Sequence, residues 1–167
     1  MSRNWLRIVP SFCEYLFVKG HDSPSGRGIS DNSVARLLHF HHLKYLSINA
    51  LIPASTQSNP NQTSQCLTDQ MFHNITNITG LRTLLIALNT DYISEKTLYC
   101  LTTMTNLDYL HVDTCYEPYL SKFTWHSLLE KLTSLQGLWM LTPLTTDFFC
   151  SCGFLQNLTW LRVNSIH

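Results

Sequence analysis

Three histidines within four positions form the densest group of potential metal ligands in this sequence: His39, His41 and His42 in "LLHFHHLKYLSI". A zinc site needs about four converging ligands, commonly with C-x2-4-C and H-x3-5-H spacings. Neighbouring side chains here point in different directions, and no cysteine lies closer in sequence than Cys13 and Cys66. The leucines explain this segment better than the histidines do, and we predict no metal and no cofactor.

Two other groups contain residue types that could do chemistry. Cys150 and Cys152 lie two positions apart with no matched second pair, which favours packing over a metal or redox role. His111 lies between Asp108 and Asp113 on one predicted strand, and an alternating strand would place His111 and Asp113 on one face. Because no nucleophile or catalytic signature accompanies them, we predict a solvated or partner-facing cluster and not an enzyme.

A recurring apolar triplet defines the elements that must position these residues. The spacing Leu-x-x-Leu-x-Z, in which Z is Ile, Val or Met, occurs five times. The triplets begin at Leu43, Leu81, Leu107, Leu135 and Leu158. A further apolar residue stands three positions before each triplet: Phe40, Ile78, Met104, Leu132 and Leu155. The last two triplet positions share one side of a strand, and stacking the copies in parallel would bury that side in a continuous core.

This pattern resembles the leucine-rich repeat, L-x-x-L-x-L-x-x-N/C-x-L, and Asn89 and Cys115 also match its Asn/Cys position. The resemblance implies an α/β solenoid of about five to six repeats, with short parallel strands on the concave face and helices on the convex face. The ribonuclease-inhibitor and F-box-associated branch has similar repeat lengths. Leu51, Pro143 and Ile166 replace Asn or Cys in other copies, so irregular turns are expected.

We predict a single domain over residues 1–167. Five recognisable repeats occupy residues 30–167, and an irregular first repeat with its loop occupies residues 1–29. The first copy is predicted in "NWLRIV", where Leu6 and Ile8 take the last two triplet positions. Residues 20–30 and 53–65 are rich in Gly, Pro, Ser, Asn and Gln, which predicts inserted loops.

Helices are expected between the strands, where apolar residues follow helical spacing. Three such segments are "SDNSVARLLHF", "SEKTLYCLTTM" and "TWHSLLEKLTSL". Their predicted N-caps are Ser30 or Asp31, Ser94 and Thr124.

Aromatic residues are concentrated at the strand positions that alternate with the inward leucines and would project from the concave face. Trp, Tyr and Arg dominate binding hot spots because they bury large areas. The predicted partner-binding residues are Trp5, Tyr45, Leu85, Tyr109, His111, Asp113, Trp139, Leu141, Trp160 and Arg162. The alternative interpretation is that insertions fold over this face or that irregular turns bury the rings.

Charge and composition narrow the classes of partner and location. Eleven basic residues balance eleven acidic ones, which gives no electrostatic reason to propose nucleic acid or an anionic membrane. Charged residues make up 13% of the chain against a usual ~25%, so much of the surface is expected to be covered by something else.

Because no signal-peptide core or membrane span is evident, we predict an intracellular, most simply cytoplasmic, protein with reduced cysteines. Mitochondrial and secreted locations remain alternatives.

These observations favour a non-enzymatic scaffold that binds a protein through its concave strand face as a subunit of a larger assembly. Neither end of the stack has a recognisable polar cap, which predicts docking to another subunit or a longer parent chain. One alternative is a substrate-recognition fragment of an F-box-type ubiquitin-ligase adaptor. Another is a secreted or cell-surface recognition domain, which predicts paired cysteines and glycans on Asn61 or Asn74.

Overall fold

Six parallel strands form one open sheet and follow one another in the order of the chain. This arrangement is seen in a computed structural model that describes residues 13–19, 35–50, 69–88, 99–114, 122–141 and 146–164. The strands are β1 (Tyr15–Lys19), β2 (Tyr45–Ala50), β3 (Thr83–Leu88), β4 (Tyr109–Thr114), β5 (Gly137–Leu141) and β6 (Trp160–Asn164).

Helical segments separate the strands along the chain, so the predicted α/β class is confirmed. Three are α-helices: α1 (Asp69–Thr76), α2 (Lys122–Lys131) and α3 (Thr146–Cys152). Two are short 3-10 helices, Arg36–His39 and Leu101–Thr103. They contribute Leu37, Phe72, Leu101, Leu128 and Phe148 to the same core cluster as the strand leucines. The described helical segments therefore pack on one face of the sheet.

The apolar triplets supply the strand side of this core, as predicted. Register pairs the second triplet positions across neighbouring strands, in the row Leu46, Leu84, Leu110, Leu138 and Leu161. The first four are between 0% and 1% exposed, whereas Leu161 on the last strand is 38% exposed. The residues predicted three positions before the triplets are also buried, at no more than 6% exposure.

The same turn leads into β2 through β6. In each of these five copies, the first leucine donates its backbone N–H to the carbonyl of the apolar residue three positions earlier, at 3.0 to 3.2 Å. The pairs are Leu43 with Phe40, Leu81 with Ile78, Leu107 with Met104, Leu135 with Leu132, and Leu158 with Leu155. The buried apolar residue thus anchors the end of each helical segment, and its carbonyl sets the turn into the strand.

A second recurring contact joins each copy to the next. The residue just before a strand accepts two hydrogen bonds on its carbonyl from two successive N–H groups of the following copy, at 2.8 to 3.1 Å. The acceptors are Glu14, Lys44, Arg82, Asp108 and Gln136. Their side chains line one end of the strands, where Lys44 pairs with Glu14 at 2.7 Å and Arg82 with Asp108 at 3.8 Å. Both pairs are partly exposed to solvent, so each stabilises the fold little.

β1 lies within the irregular first repeat predicted for residues 1–29, but it follows the "NWLRIV" segment in which the triplet of that repeat was predicted. In β1, Leu16 pairs with Leu46 and Val18 with Ile48, so Cys13-x-x-Leu16-x-Val18 occupies the triplet positions. Cys13, Leu16 and Val18 are partly buried against the core. The copy predicted at Leu6 and Ile8 lies outside the described residues and stays a prediction.

Helix details differ from the expectations in two places. Thr124 lies inside α2, which begins at Lys122, so its assignment as the N-cap is wrong. Leu38, one of the apolar residues in the predicted helix "SDNSVARLLHF", is 36% exposed. Its segment is a 3-10 helix, in which residues three apart share one side, so Leu37 and Phe40 are buried and Leu38 points outward.

Several expectations fall on residues that the structure leaves undescribed. The undescribed positions are the caps at Ser30, Asp31 and Ser94, the loops at 20–30 and 53–65, and the repeat positions Asn89 and Cys115. The helices α1 and α3 agree with the general expectation of helices between strands, although their segments were not named individually.

Replacing a central leucine should destabilise the fold far more than replacing its equivalent on the last strand. We expect Leu110→Ala to lower the free energy of unfolding by about 2–5 kcal/mol, because it opens a cavity in a filled core. Leu161→Ala removes a side chain that is already 38% exposed and should cost below about 1 kcal/mol. Urea unfolding followed by circular dichroism measures both, and equal losses would contradict the assigned core.

Candidate partner-binding face

The sheet face opposite the core, which we call the open face, carries two rows of side chains that cross all six strands and a shorter third row that includes Asn49, Ala87 and Asp113. The first row, across β1 to β6, is Tyr15, Tyr45, Thr83, Tyr109, Gly137 and Trp160. The second row is Phe17, Ser47, Leu85, His111, Trp139 and Arg162. Strand alternation places them here, because the leucines between them point into the core.

Large rings on this face are unusually exposed for apolar groups. The exposed fractions are 65% for Tyr15, 70% for Phe17, 45% for Tyr109 and 47% for Trp160. The described helical segments pack on the other side of the sheet, and therefore none of them covers these rings.

Trp139 lies at the centre of a stacked group on β4, β5 and β6. The ring of His111 is parallel to it, with 7° between the planes and 3.9 Å between centroids. The Arg162 guanidinium lies 4.3 Å from the Trp139 centroid, and Trp160 meets the same ring edge-on at 6.3 Å. His111 and Arg162 come from the two strands flanking β5, so they approach Trp139 from opposite sides. The open face holds two aromatic clusters. Together with Tyr109, the side chains around Trp139 form the one on the later strands, which we call the second aromatic cluster.

Gly137 makes room for Tyr109 within this cluster. A Cβ built on Gly137 would fall among the Tyr109 ring atoms, 2.7 Å from Cε1 and 3.5 Å from Cγ. The tyrosine ring therefore lies over the glycine of the neighbouring strand. Because Gly137 has no side chain, one ring covers two positions of the first row.

The first aromatic cluster occupies β1 and β2. Tyr45 packs with Tyr15 at a centroid distance of 5.9 Å and with Phe17 at 5.0 Å, both in tilted geometry. Tilted aromatic pairs of this kind contribute about 0.5–1.5 kcal/mol beyond their buried area. Between the two clusters lie the shorter, half-buried side chains of Ser47, Thr83 and Leu85.

His111 stacks on Trp139 in a partly buried environment. Burial lowers its pKa below 6.5; nearby Asp113 opposes this effect, and Arg162 adds to it. Among the described side chains, its buried Nε2 has no hydrogen-bond partner. A neutral imidazole stacked on an indole fits this environment better than an imidazolium does.

The acid–base grouping considered from the sequence is not assembled. His111 and Asp113 share the open face, as expected. Asp108, however, precedes β4, and its carboxylate pairs with Arg82 across the strand ends. Two acids flanking one histidine in sequence thus have different surroundings, because strand alternation and the turn separate them.

Most predicted partner-binding residues lie on the open face. Those with described side chains are Tyr45, Leu85, Tyr109, His111, Asp113, Trp139, Trp160 and Arg162. Leu141 is the last residue of β5, in register with Asn164, but its side chain lies outside the described residues, as does all of Trp5. Tyr15 and Phe17 also lie on the open face but were not among the predicted residues. The signal that could have revealed them is the spacing of Cys13, Leu16 and Val18.

The remaining chemical groups are dispersed. His39, His41 and His42 are exposed, and the described part of the chain holds no group of three or more potential metal ligands among His, Cys, Asp and Glu. Cys150 is exposed, and burial raises the pKa of the half-buried Cys152 thiol.

One sequon is poorly placed for a glycan. Asn74 is only 8% exposed, and its side-chain oxygen accepts a hydrogen bond from Gln70 at 3.2 Å. The glycan that a secreted domain would carry there conflicts with this burial, while Asn61 lies outside the described residues.

No protein-family model and no curated protein matches this chain. Within the described residues, every helix is too short or too polar to cross a membrane.

The stability of the protein should depend on the titration of His111. Because folding lowers its pKa below 6.5, the unfolded chain binds the proton more tightly. The free energy of unfolding should therefore fall as the pH drops from about 6.5 toward the folded pKa, and His111→Phe, which keeps a ring on Trp139, should lack this component. Urea unfolding across the pH range, with an NMR titration of the His111 ring, tests this, and an NMR pKa at or above 6.5 would contradict it.

Proposed function

We propose that this chain is a leucine-rich-repeat solenoid whose open face is the concave side and binds a protein partner. It acts as a non-enzymatic subunit of a larger assembly. The observation that carries this proposal is the exposure of aromatic rings in adjacent rows of one sheet face. Contiguous exposed apolar patches on soluble proteins mark interaction sites.

Support for the repeat assignment comes from geometry that recurs with the sequence pattern. The turn bond from the first leucine and the shared carbonyl before each strand both occur in five successive copies. In a solenoid each repeat contacts its neighbours, which agrees with a sheet ordered as the chain runs.

Support for protein binding comes from the kinds of side chain on the open face. Trp139, Trp160, Tyr109 and Arg162 belong to the three residue types most enriched in interface hot spots. They are also held in place before binding, because Trp139 is stacked between His111 and Arg162. Side chains that are already ordered lose less entropy when a partner binds.

A non-enzymatic role is supported by the way the titratable groups are used. His111 stacks on Trp139 with a buried Nε2, and Asp108 is paired with Arg82. We also propose a reducing location such as the cytoplasm, because Cys13, Cys150 and Cys152 form no disulfide among the described residues.

Removing the two tryptophans of the second aromatic cluster should abolish partner binding. Single hot-spot substitutions cost about 2 kcal/mol or more, so Trp139→Ala/Trp160→Ala should weaken binding by at least about 30-fold. Quantitative affinity purification from native cells, followed by titration of the purified partner, measures this loss.

A matched control removes two rings that are exposed elsewhere. Tyr99 and Phe149 are 60% and 51% exposed and lie in helical segments away from the open face. Tyr99→Ala/Phe149→Ala should bind the partner like the wild type, and circular dichroism should show both double variants folded. A partner that stays bound to the tryptophan variant would show that the face is wrongly assigned.

A further inference from the structure

Arg162 is the charged group on the open face whose geometry points most clearly to a ligand. The central carbon of its exposed guanidinium lies over the Trp139 ring, 4.3 Å from the ring centroid. Among the described side chains it forms no ion pair, whereas Arg82 and Lys44 at the strand ends are each paired with an acid. A stacked guanidinium keeps its N–H donors in a fixed planar fork that matches a carboxylate.

Exposed rings flank this guanidinium. Trp160 on the same strand and Tyr109 on β4 are 47% and 45% exposed. An apolar side chain next to the carboxylate would contact them while the acid contacts Arg162. The second aromatic cluster therefore fits an acidic residue adjacent to a bulky apolar one.

The first aromatic cluster offers a second apolar contact at a fixed distance. Its centre lies between β1 and β2, about three and a half strand spacings from β5, or roughly 17 Å at ~4.8 Å per spacing. An extended chain rises ~3.3 Å per residue, so this distance corresponds to about five residues. Ser47, Thr83 and Leu85 between the clusters are short enough to leave space for the backbone of such a segment.

The charge of the face favours a peptide over a nucleic acid. Surfaces that bind single strands combine aromatic stacking with a groove of several cations. The described side chains of the open face hold one cation, Arg162, and one acid, Asp113. On the described part of this face, a single guanidinium complements one carboxylate better than it complements a phosphate backbone.

Building on the proposed function, we infer that the partner presents an extended segment that crosses the strands of the open face. An Asp or Glu of this segment contacts Arg162, a neighbouring apolar residue packs on Trp160 and Tyr109, and a second apolar residue about five positions away packs on Tyr15, Phe17 and Tyr45.

Selection from a displayed library of random 12-residue peptides against the full chain tests this inference. We expect enriched peptides to place Asp or Glu beside a large apolar residue, with another large apolar residue about five positions away. For a labelled peptide from this set, changing the acid to its amide should weaken binding at least about tenfold in fluorescence anisotropy, as a charge-assisted contact requires.

Variants of the protein assign each contact. Arg162→Gln should lower affinity for the acidic peptide and remove its advantage over the amide peptide, and Arg162→Lys should restore part of it. Phe17→Ala should weaken both peptides equally, because it affects only the distant apolar contact. Arg82→Gln, at the strand ends, should change neither affinity.

Three results would overturn the inference, and they differ in whether the proposed binding face remains supported. If Arg162→Gln keeps the acid preference while Trp139→Ala/Trp160→Ala abolishes binding, the carboxylate contact is wrong and the proposed binding face survives. If no selected peptide loses affinity when the two tryptophans are replaced, both the carboxylate contact and the proposed binding face are wrong. If a labelled 20-nucleotide deoxythymidine strand binds and loses affinity on tryptophan substitution, the ligand is a nucleic acid and the peptide inference fails.

Discussion

The carbonyl shared between neighbouring copies is the contact on which the structure depends. Each strand from β2 to β6 is entered through two successive N–H groups that bond to one oxygen just before the preceding strand. Two bonds to one acceptor fix the strand along its axis, because a shift by one residue would break one of them. Such a shift would also turn every inward leucine outward, so the hydrophobic core and the backbone bonds enforce the same register.

This register creates the open face as well as the core. Because equivalent positions lie side by side, His111, Trp139 and Arg162 become neighbours although 51 residues separate the first from the last. Gly137 falls beside Tyr109 for the same reason, and its missing side chain gives the tyrosine ring its place. The central strands bury their leucines almost completely, and the alternation of side chains then directs the residues between these leucines to the open face.

Most of the strand arrangement was predictable from the sequence, because leucine recurs at fixed spacing in each triplet. The triplets from Leu43 to Leu158 indicated five strands, their order and their inward side, because burial constrains those positions directly. The strand β1 was not predicted, since Cys13 replaces the first leucine and Tyr15 and Phe17 blur the alternation. The exposure of Leu38 was not predicted either, because apolar residues spaced three or four positions apart occur in both a 3-10 turn and an α-helix.

The candidate site was predictable only in part. Strand alternation predicted one shared face for five residues, because side chains two positions apart in a strand point to the same side. They are Tyr45, Tyr109, Trp139, Trp160 and Arg162. Their contacts were not predictable, since the stacking on Trp139 depends on side chains from two other strands. The pairing of Asp108 with Arg82, which separates it from His111, arises in the turns, where the repeat pattern specifies little.

The most direct test is an NMR measurement of cross-strand nuclear Overhauser effects between backbone protons of consecutive copies. The account predicts contacts that join Leu46 to Leu84, Leu84 to Leu110, Leu110 to Leu138, and Leu138 to Leu161, in the register of one parallel sheet. Strong sequential amide-to-amide contacts through these segments, as in helices, with no cross-strand contacts, would contradict it.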